Sequence, residues 1–273
     1  MTHDRAPHWI GANRNKPMFA PCGLCGHSRK LSETHIPPQV AGNTGRRYRE
    51  QVREKVRRPG TLKDGGMWVY GLCSDCNSEA GGRYDNSYAM FAEAMRPFVM
   101  GTNELLLPAR TTVPVKAVAP GRVARSVLYS MFGLWLRLRH YAPDLARDLK
   151  ERRHPTQLPP QYRLRLAGYR GRPVLEALTF AADVMRMTDK PYNVVGAFYS
   201  EPFAWALTHE DDELFDHLGW GDATSWVRFN PDAGRLDLRD VLDRFVIVNR
   251  PADTFGMDGM ELNSDETLLL RGM

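Results

Sequence analysis

Apolar and polar residues alternate in distinct registers along the chain, and the registers predict its elements. The run MWVYGLC, residues 67–73, is short, aromatic and β-branched, and predicts a strand that delivers its last residue, Cys73, into a turn. After Gly81 and Gly82, which predict a tight passage, DNSYAMFAEAM sets Tyr88, Phe91 and Met95 on one helical face, with Pro97 expected to end the helix. Further on, GRVARSVLYSMFGLWLRLRHY repeats Val123, Val127, Met131, Leu134, Trp135 and Leu138 at helical intervals. Arg122, Arg125, Arg137 and Arg139 fall on its other faces, and a core helix is expected. A helix starting at Pro173 is predicted through Leu175, Leu178 and Met185. NVVGAFYS and SWVRF read as strands, and the acidic HEDDELFDH reads as the loop between them.

These elements divide the chain without any repeat or low-complexity tract. Residues 1–20 read as a poorly ordered lead-in, and a cysteine-bearing domain runs over 21–100. The stretch 101–120, with Pro108, Pro114 and Pro120 around TTVPVKAV, reads as a linker with an edge strand. A C-terminal domain of mixed helices and strands and of unknown role follows over 121–273. The class is therefore α+β. With 273 residues, 42% of them hydrophobic, there is material for one large domain or two modest ones. No run approaches the roughly 18 apolar residues of a membrane-spanning helix, and the start carries no apolar leader, so a cytoplasmic protein away from membranes is expected.

Charge adds a partner. The formal charge is +5 and the pI about 9.1, which favours an anionic ligand, and the excess is concentrated. RRYREQVREKVRR carries Arg46, Arg47, Arg49, Arg53, Lys55, Arg57 and Arg58 against two glutamates. The spacing of Glu50 with Glu54 and of Arg49 with Arg53 suits a solvated helix, whereas the cation density suits a surface that grips phosphates.

The four cysteines form two Cys-x2-Cys pairs, CGLCG and CSDCN. In a reducing compartment such pairs are metal ligands rather than disulfide partners. Each short turn presents two thiolates, so that Cys22, Cys25, Cys73 and Cys76 complete a tetrahedral zinc site. A site closed by four sulfurs leaves no position for water, so this zinc is structural. A redox pair is the competing reading, but one such pair in a thioredoxin-like setting would serve it. The histidines His140, His154, His209 and His217 read as surface or core residues, and His27 as a solvated turn residue.

Between the pairs stands LSETHIPPQV. With Cys22 and Cys25 before Thr34-His35-Ile36-Pro37-Pro38, then Cys73-Ser74-Asp75-Cys76-Asn77 and Asp85 in GGRYDNSY, residues 20–96 resemble the zinc-binding members of the HNH endonuclease family. The resemblance implies a ββα-metal fold of strand hairpin and helix around the metal, followed here by the mixed helix and strand domain. It also implies metal-dependent hydrolysis of phosphodiester bonds, with DNA as the expected partner. His35 would be the general base, and Asn77, with Asp85, would hold a catalytic Mg²⁺ or Mn²⁺. Asn77 as a helix N-cap and Asp85 as a first-turn helix acid are the plainer readings, as is His35 as a hairpin cap or a sulfur-bonded residue. Thr34 occupies the place where the family carries an acid, and Glu33 lies one residue further back. A step of one residue on a strand changes its face, so Glu33 is expected to point away from a metal beside His35 unless a bulge intervenes. Asp85, Glu79 or Asp75 would then supply the charge. For the family's middle Asn, which orients the histidine, the nearest candidates are Asn43 and Asp64. The alternatives to a nuclease are a nucleic-acid-binding zinc protein without cleavage, and a zinc-stapled interaction protein.

Overall fold

The computed structural model describes residues 19–45, 47–53, 56–63, 65–101, 118–171, 174–176, 194–210, 213–232, 245–248 and 268–272. The predicted lead-in and linker fall almost entirely outside them.

Strands β1 (Phe19–Pro21) and β2 (Ser28–His35) are joined by the first cysteine turn. A hairpin of β3 (Arg47–Arg53) and β4 (Val56–Lys63) follows, and the chain returns through β5 (Trp68–Cys73). Strands β1, β2 and β5 form an antiparallel sheet in the order β1-β2-β5. From Cys73 the chain enters α1 (Ser74–Ala80), passes through a π-helical turn (Gly81–Asp85) and continues as α2 (Asn86–Gly101). The Gly81-Gly82 step is thus a widened turn inside a helical run rather than a break. Pro97 lies within α2 instead of ending it, while Tyr88, Phe91 and Met95 are buried as their spacing predicts.

Next come α3 (Pro120–Leu134), α4 (Leu138–Tyr141) and α5 (Pro143–Lys150). Helix α3 is buried along nearly its whole length, Arg125 included and Arg122 the half-buried exception, so it is a central helix. The C-terminal part supplies β6 (Tyr162–Tyr169), β7 (Val174–Glu176), β8 (Val194–Ser200), β9 (Phe203–His209), α6 (Glu213–His217), β10 (Gly221–Asp222), β11 (Ile247–Val248) and β12 (Leu268–Gly272). Its sheet has the order β10-β6-β9-β8-β7-β12-β3-β4, with β11 beside β6.

Three expectations change here. The residues after Pro173 start as a strand, β7, because they pair with β8 and β12; residues 177–193 lie outside the described ones. SWVRF lies in a 3-10 turn over Thr224–Arg228, which buries Trp226 and Val227 without sheet partners. The acidic loop includes the short helix α6.

Alternate residues of β8 and β9 divide between two cores, as the strand period requires. Phe198, Phe203, Trp205 and Leu207 face α2, where Phe91 stacks on Phe203 at 4.5 Å and meets Trp226 edge-on at 5.6 Å. Ala197, Tyr199, Ala204 and Ala206 face α6, Phe215 and Trp220. The first core is continuous from Ala20 through α2 and α3 to Phe245, so one body of apolar packing supports both the cysteine turns and the large sheet.

Candidate functional site

The pairing of β2 with β5 is regular except at one position. Ser32 lies opposite Leu72 but Glu33 opposite Tyr70, which leaves Gly71 as the extra residue on β5. There the backbone passes so close to α3 that a Cβ on Gly71 would stand 1.8 Å from the Gly133 carbonyl oxygen, while the Gly71 carbonyl accepts the Gly23 N–H at 2.9 Å. A glycine is required, and the bulge fastens the first cysteine turn to the second strand and to α3. Gly26, at φ +73°, closes that first turn in the left-handed region.

The four thiols converge on this frame. All four sulfurs lie within 4.8 Å of one another, and the four cysteines are free of disulfides. Cys25 Sγ and Cys73 Sγ are 3.9 Å apart. A tetrahedron with metal–sulfur bonds of about 2.3 Å has edges of about 3.8 Å, so the spacing is that of four ligands around one ion. The backbone N–H of Cys73 donates to Cys22 Sγ at 3.3 Å. A hydrogen bond with Cys76 and, against the opposing burial, backbone N–H groups led by that of Cys73 bring the Cys22 thiol down to about 4. The same contact, with burial, pushes Cys76 far up, and burial raises Cys25. A cation bound among them would favour the thiolate form of all four. The residues present fit a metal such as zinc.

His35 ends β2, half-buried, opposite Trp68. Burial lowers its pKa below the ordinary imidazole value, with the Glu33 charge opposing. Its Nδ1 is buried and has no hydrogen-bond partner among the described residues, so the bond to a cysteine sulfur weighed from the sequence is not made through that atom. The bulge lies on the opposite strand and before Glu33, so Glu33, Thr34 and His35 run in regular alternation. Glu33 and His35 are two residues apart and share a face. The expectation that Glu33 points away is therefore corrected: the residue that turns inward is Thr34, 4% exposed, with its hydroxyl accepting the Leu72 N–H at 3.2 Å. An acid at position 34 would face the core; the acid at 33 is exposed beside the histidine, its carboxylate accepting the Tyr70 hydroxyl at 3.3 Å.

Asn77, half-buried on α1, donates from Nδ2 to the backbone carbonyl of Glu33 at 2.9 Å. A carbonyl can face only the nitrogen of the amide, which fixes the orientation and leaves Oδ1 for another partner. The N-cap of α1 is Cys73, not Asn77. Asn77 is thus tied to the backbone of Glu33, which shares a face of β2 with His35. Asp85 does not join them: eight residues along the helical run, it accepts the Ser126 hydroxyl at 2.7 Å and ties α3 to the π turn, with burial raising its pKa. Glu79 is held by Lys150 and Arg152, and Asp75 by Arg29.

Asn43 is 1% exposed and clamps the loop that follows His35. Its Nδ2 donates to the carbonyls of Pro37 and Met67, each at 2.7 Å, and its Oδ1 accepts the Met67 N–H at 2.6 Å. It fixes the turn after the histidine rather than touching the ring, a role carried by tertiary contacts and so invisible in spacing. Asp64 lies outside the described residues. We expect Asn43→Ala to cost about 2–4 kcal/mol in urea unfolding, because buried backbone groups lose their partners.

The cationic segment is a strand hairpin, not a helix. Arg47, Arg49 and Arg53 lie in β3 and Arg57 and Arg58 in β4, while Arg46 and Lys55 are outside the described residues. The hairpin follows Gly45, whose carbonyl accepts the Gly66 N–H at 2.8 Å beside the Asn43 clamp, and it forms the β3-β4 edge of the large sheet. No helix among the described residues is long and apolar enough to cross a membrane. No protein-family model, no curated protein and no solved structure matches the chain.

Proposed function

We propose that the protein is a metal-dependent endonuclease of HNH type that hydrolyses phosphodiester bonds in DNA. The observation that carries the reading is that Glu33 and His35 share a face at the end of β2, with Asn77 of α1 bonded to the Glu33 backbone, on a frame built around four clustered cysteines. In this reading the cysteines would hold one structural zinc, and Glu33 with Asn77 would hold Mg²⁺ or Mn²⁺. Mg²⁺ keeps most of its water shell, so one carboxylate and one amide oxygen suffice. The bound ion supplies stabilisation of the charge that develops on the phosphate and the leaving oxygen. His35, kept neutral by burial, accepts the proton of the attacking water; the new P–O bond forms as the bond to the leaving oxygen breaks. Asn43 holds the turn on which the imidazole sits.

The test is cleavage of plasmid at increasing Mn²⁺ by the parent protein, Glu33→Gln and Asn77→Ala. We expect both variants to need more Mn²⁺ and to keep their zinc; an unchanged requirement would remove these residues from the ion's shell. The hairpin is the proposed backbone grip. Replacing Arg46, Arg47, Arg57 and Arg58 by Gln should weaken duplex binding equally across sequences, and should flatten its salt dependence by about one log–log unit for each phosphate no longer gripped. Unchanged binding would leave the hairpin without that role.

A further inference from the structure

A second site, apart from His35, is open between α1 and the C-terminal half. A cleft of about 720 Å³ is lined by Arg83, Arg122, Arg125, Lys150 and Arg152, together with three acids. The acids are already paired. Asp75 takes Arg29 from outside the cleft, Asp232 takes Arg122 at 3.2 Å, and Glu79 takes Arg152 at 2.6 Å and Lys150 at 3.2 Å. This leaves Arg83, Arg125 and one of the two Glu79 partners without a carboxylate of their own among the described residues.

Arg125 is the telling member. It is 2% exposed, yet every acceptor it has among the described residues is neutral: Nη1 donates to the carbonyls of Gly121, Val227 and Phe229 at 3.0, 3.4 and 3.2 Å, and Nη2 to Thr156 Oγ1 at 3.1 Å. The Asp232 charge acts on it, but that carboxylate is bonded to Arg122, so the buried guanidinium has no carboxylate of its own, and a cleft wall is where a ligand can provide one. Arg122 donates from Nε to the Pro231 carbonyl at 2.6 Å and from Nη1 to the Arg83 carbonyl at 3.3 Å, which holds it along the cleft. Arg83 is exposed at the rim with no carboxylate partner among the described residues.

We infer that this cleft binds a phosphoryl group, with Arg125 as its buried charge and Arg83, Arg122 and Arg152 as its donors. Guanidinium groups present paired N–H donors to phosphate oxygens, and the volume suits a nucleotide-sized phosphate ester or a phosphate of a nucleic-acid backbone. The inference does not depend on His35 acting as a base.

Calorimetric titration of the full-length, zinc-loaded protein with inorganic pyrophosphate, and separately with a short DNA duplex, tests it. Saturable pyrophosphate binding is expected, weakened about tenfold or more in Arg83→Gln/Arg152→Gln and unchanged in His35→Ala. Arg83→Gln alone, which removes no ion pair among the described residues, gives the same direction if the double variant is unstable. If duplex competes with pyrophosphate, the phosphate is that of a nucleic-acid backbone; if it does not, the ligand is a free phosphate ester. Absence of saturable binding by either probe, or equal affinity in parent and Arg83→Gln, overturns the site whatever the cleavage assay shows.

Discussion

Cys73→Ser, or removal of metal by a strong chelator, is expected to unfold the first sheet and to loosen α3. Structural zinc binding by four thiolates contributes on the order of 10–16 kcal/mol in small units, as much as the whole stability of a typical domain. Here the loss cannot stay local. The first cysteine turn is bonded to Gly71, Gly71 lies against Gly133, and a Cβ on Gly23 would stand 2.0 Å from the Phe132 carbonyl oxygen. Limited proteolysis should cut within residues 19–80 and 120–135 in the variant and in neither segment of the parent. Elemental analysis should give one zinc per chain. A parent protein without metal, or a chelated protein with unchanged protection, would mean that the fold does not rest on the metal.

His35→Ala is expected to reduce cleavage by about 10²–10⁴-fold, the usual contribution of a general base, with zinc content and thermal unfolding nearly unchanged. The pH profile gives a second readout. Burial lowers the His35 pKa, so the acid limb of the rate should lie below the ordinary imidazole range near 6.5. Glu33 raises that pKa, so the residual activity of Glu33→Gln should have its acid limb at still lower pH. Stability follows the same sign. The folded pKa is depressed, so the unfolded chain binds more protons in the window between the folded value and about 6.5. Stability therefore falls as pH drops through that window, and His35→Ala should flatten the fall. Loss of fold in place of activity would make the residue structural.

The pairing of the cysteines in each turn was legible because Cys-x2-Cys spacing is set by bond geometry within one turn, and the fold brings the two pairs together. Strand β5 was legible from its run of aromatic and β-branched residues, nearly all buried, and the inner face of α2 because its period matches the face it buries. The basic hairpin was not. Its charges repeat at intervals a helix also tolerates, and the pairing of β3 with β12, more than two hundred residues away in sequence, decides its state. Pro97 lies inside α2 because tertiary packing of Met95 and Val99 holds the helix across it. SWVRF has a strand's composition, but Trp226 is buried against Phe91 and Trp205 from a 3-10 turn. Glu33 was the candidate whose placement the sequence concealed. Its two-residue separation from His35 carried the signal, and the comparison with position 34 obscured it. Asp85 occupies a motif position yet packs on Ser126, a partner that sequence spacing does not reveal.

The most direct measurement is the rate at which supercoiled plasmid is nicked or linearised by the parent protein and by His35→Ala, purified in parallel, with Mg²⁺ or Mn²⁺ and with excess chelator. Cleavage by the parent should need the added ion and be lost in His35→Ala, whereas both proteins should keep one zinc and the same unfolding temperature. Equal rates in the two preparations, or no ion-dependent cleavage by either, would contradict a nuclease that works through His35.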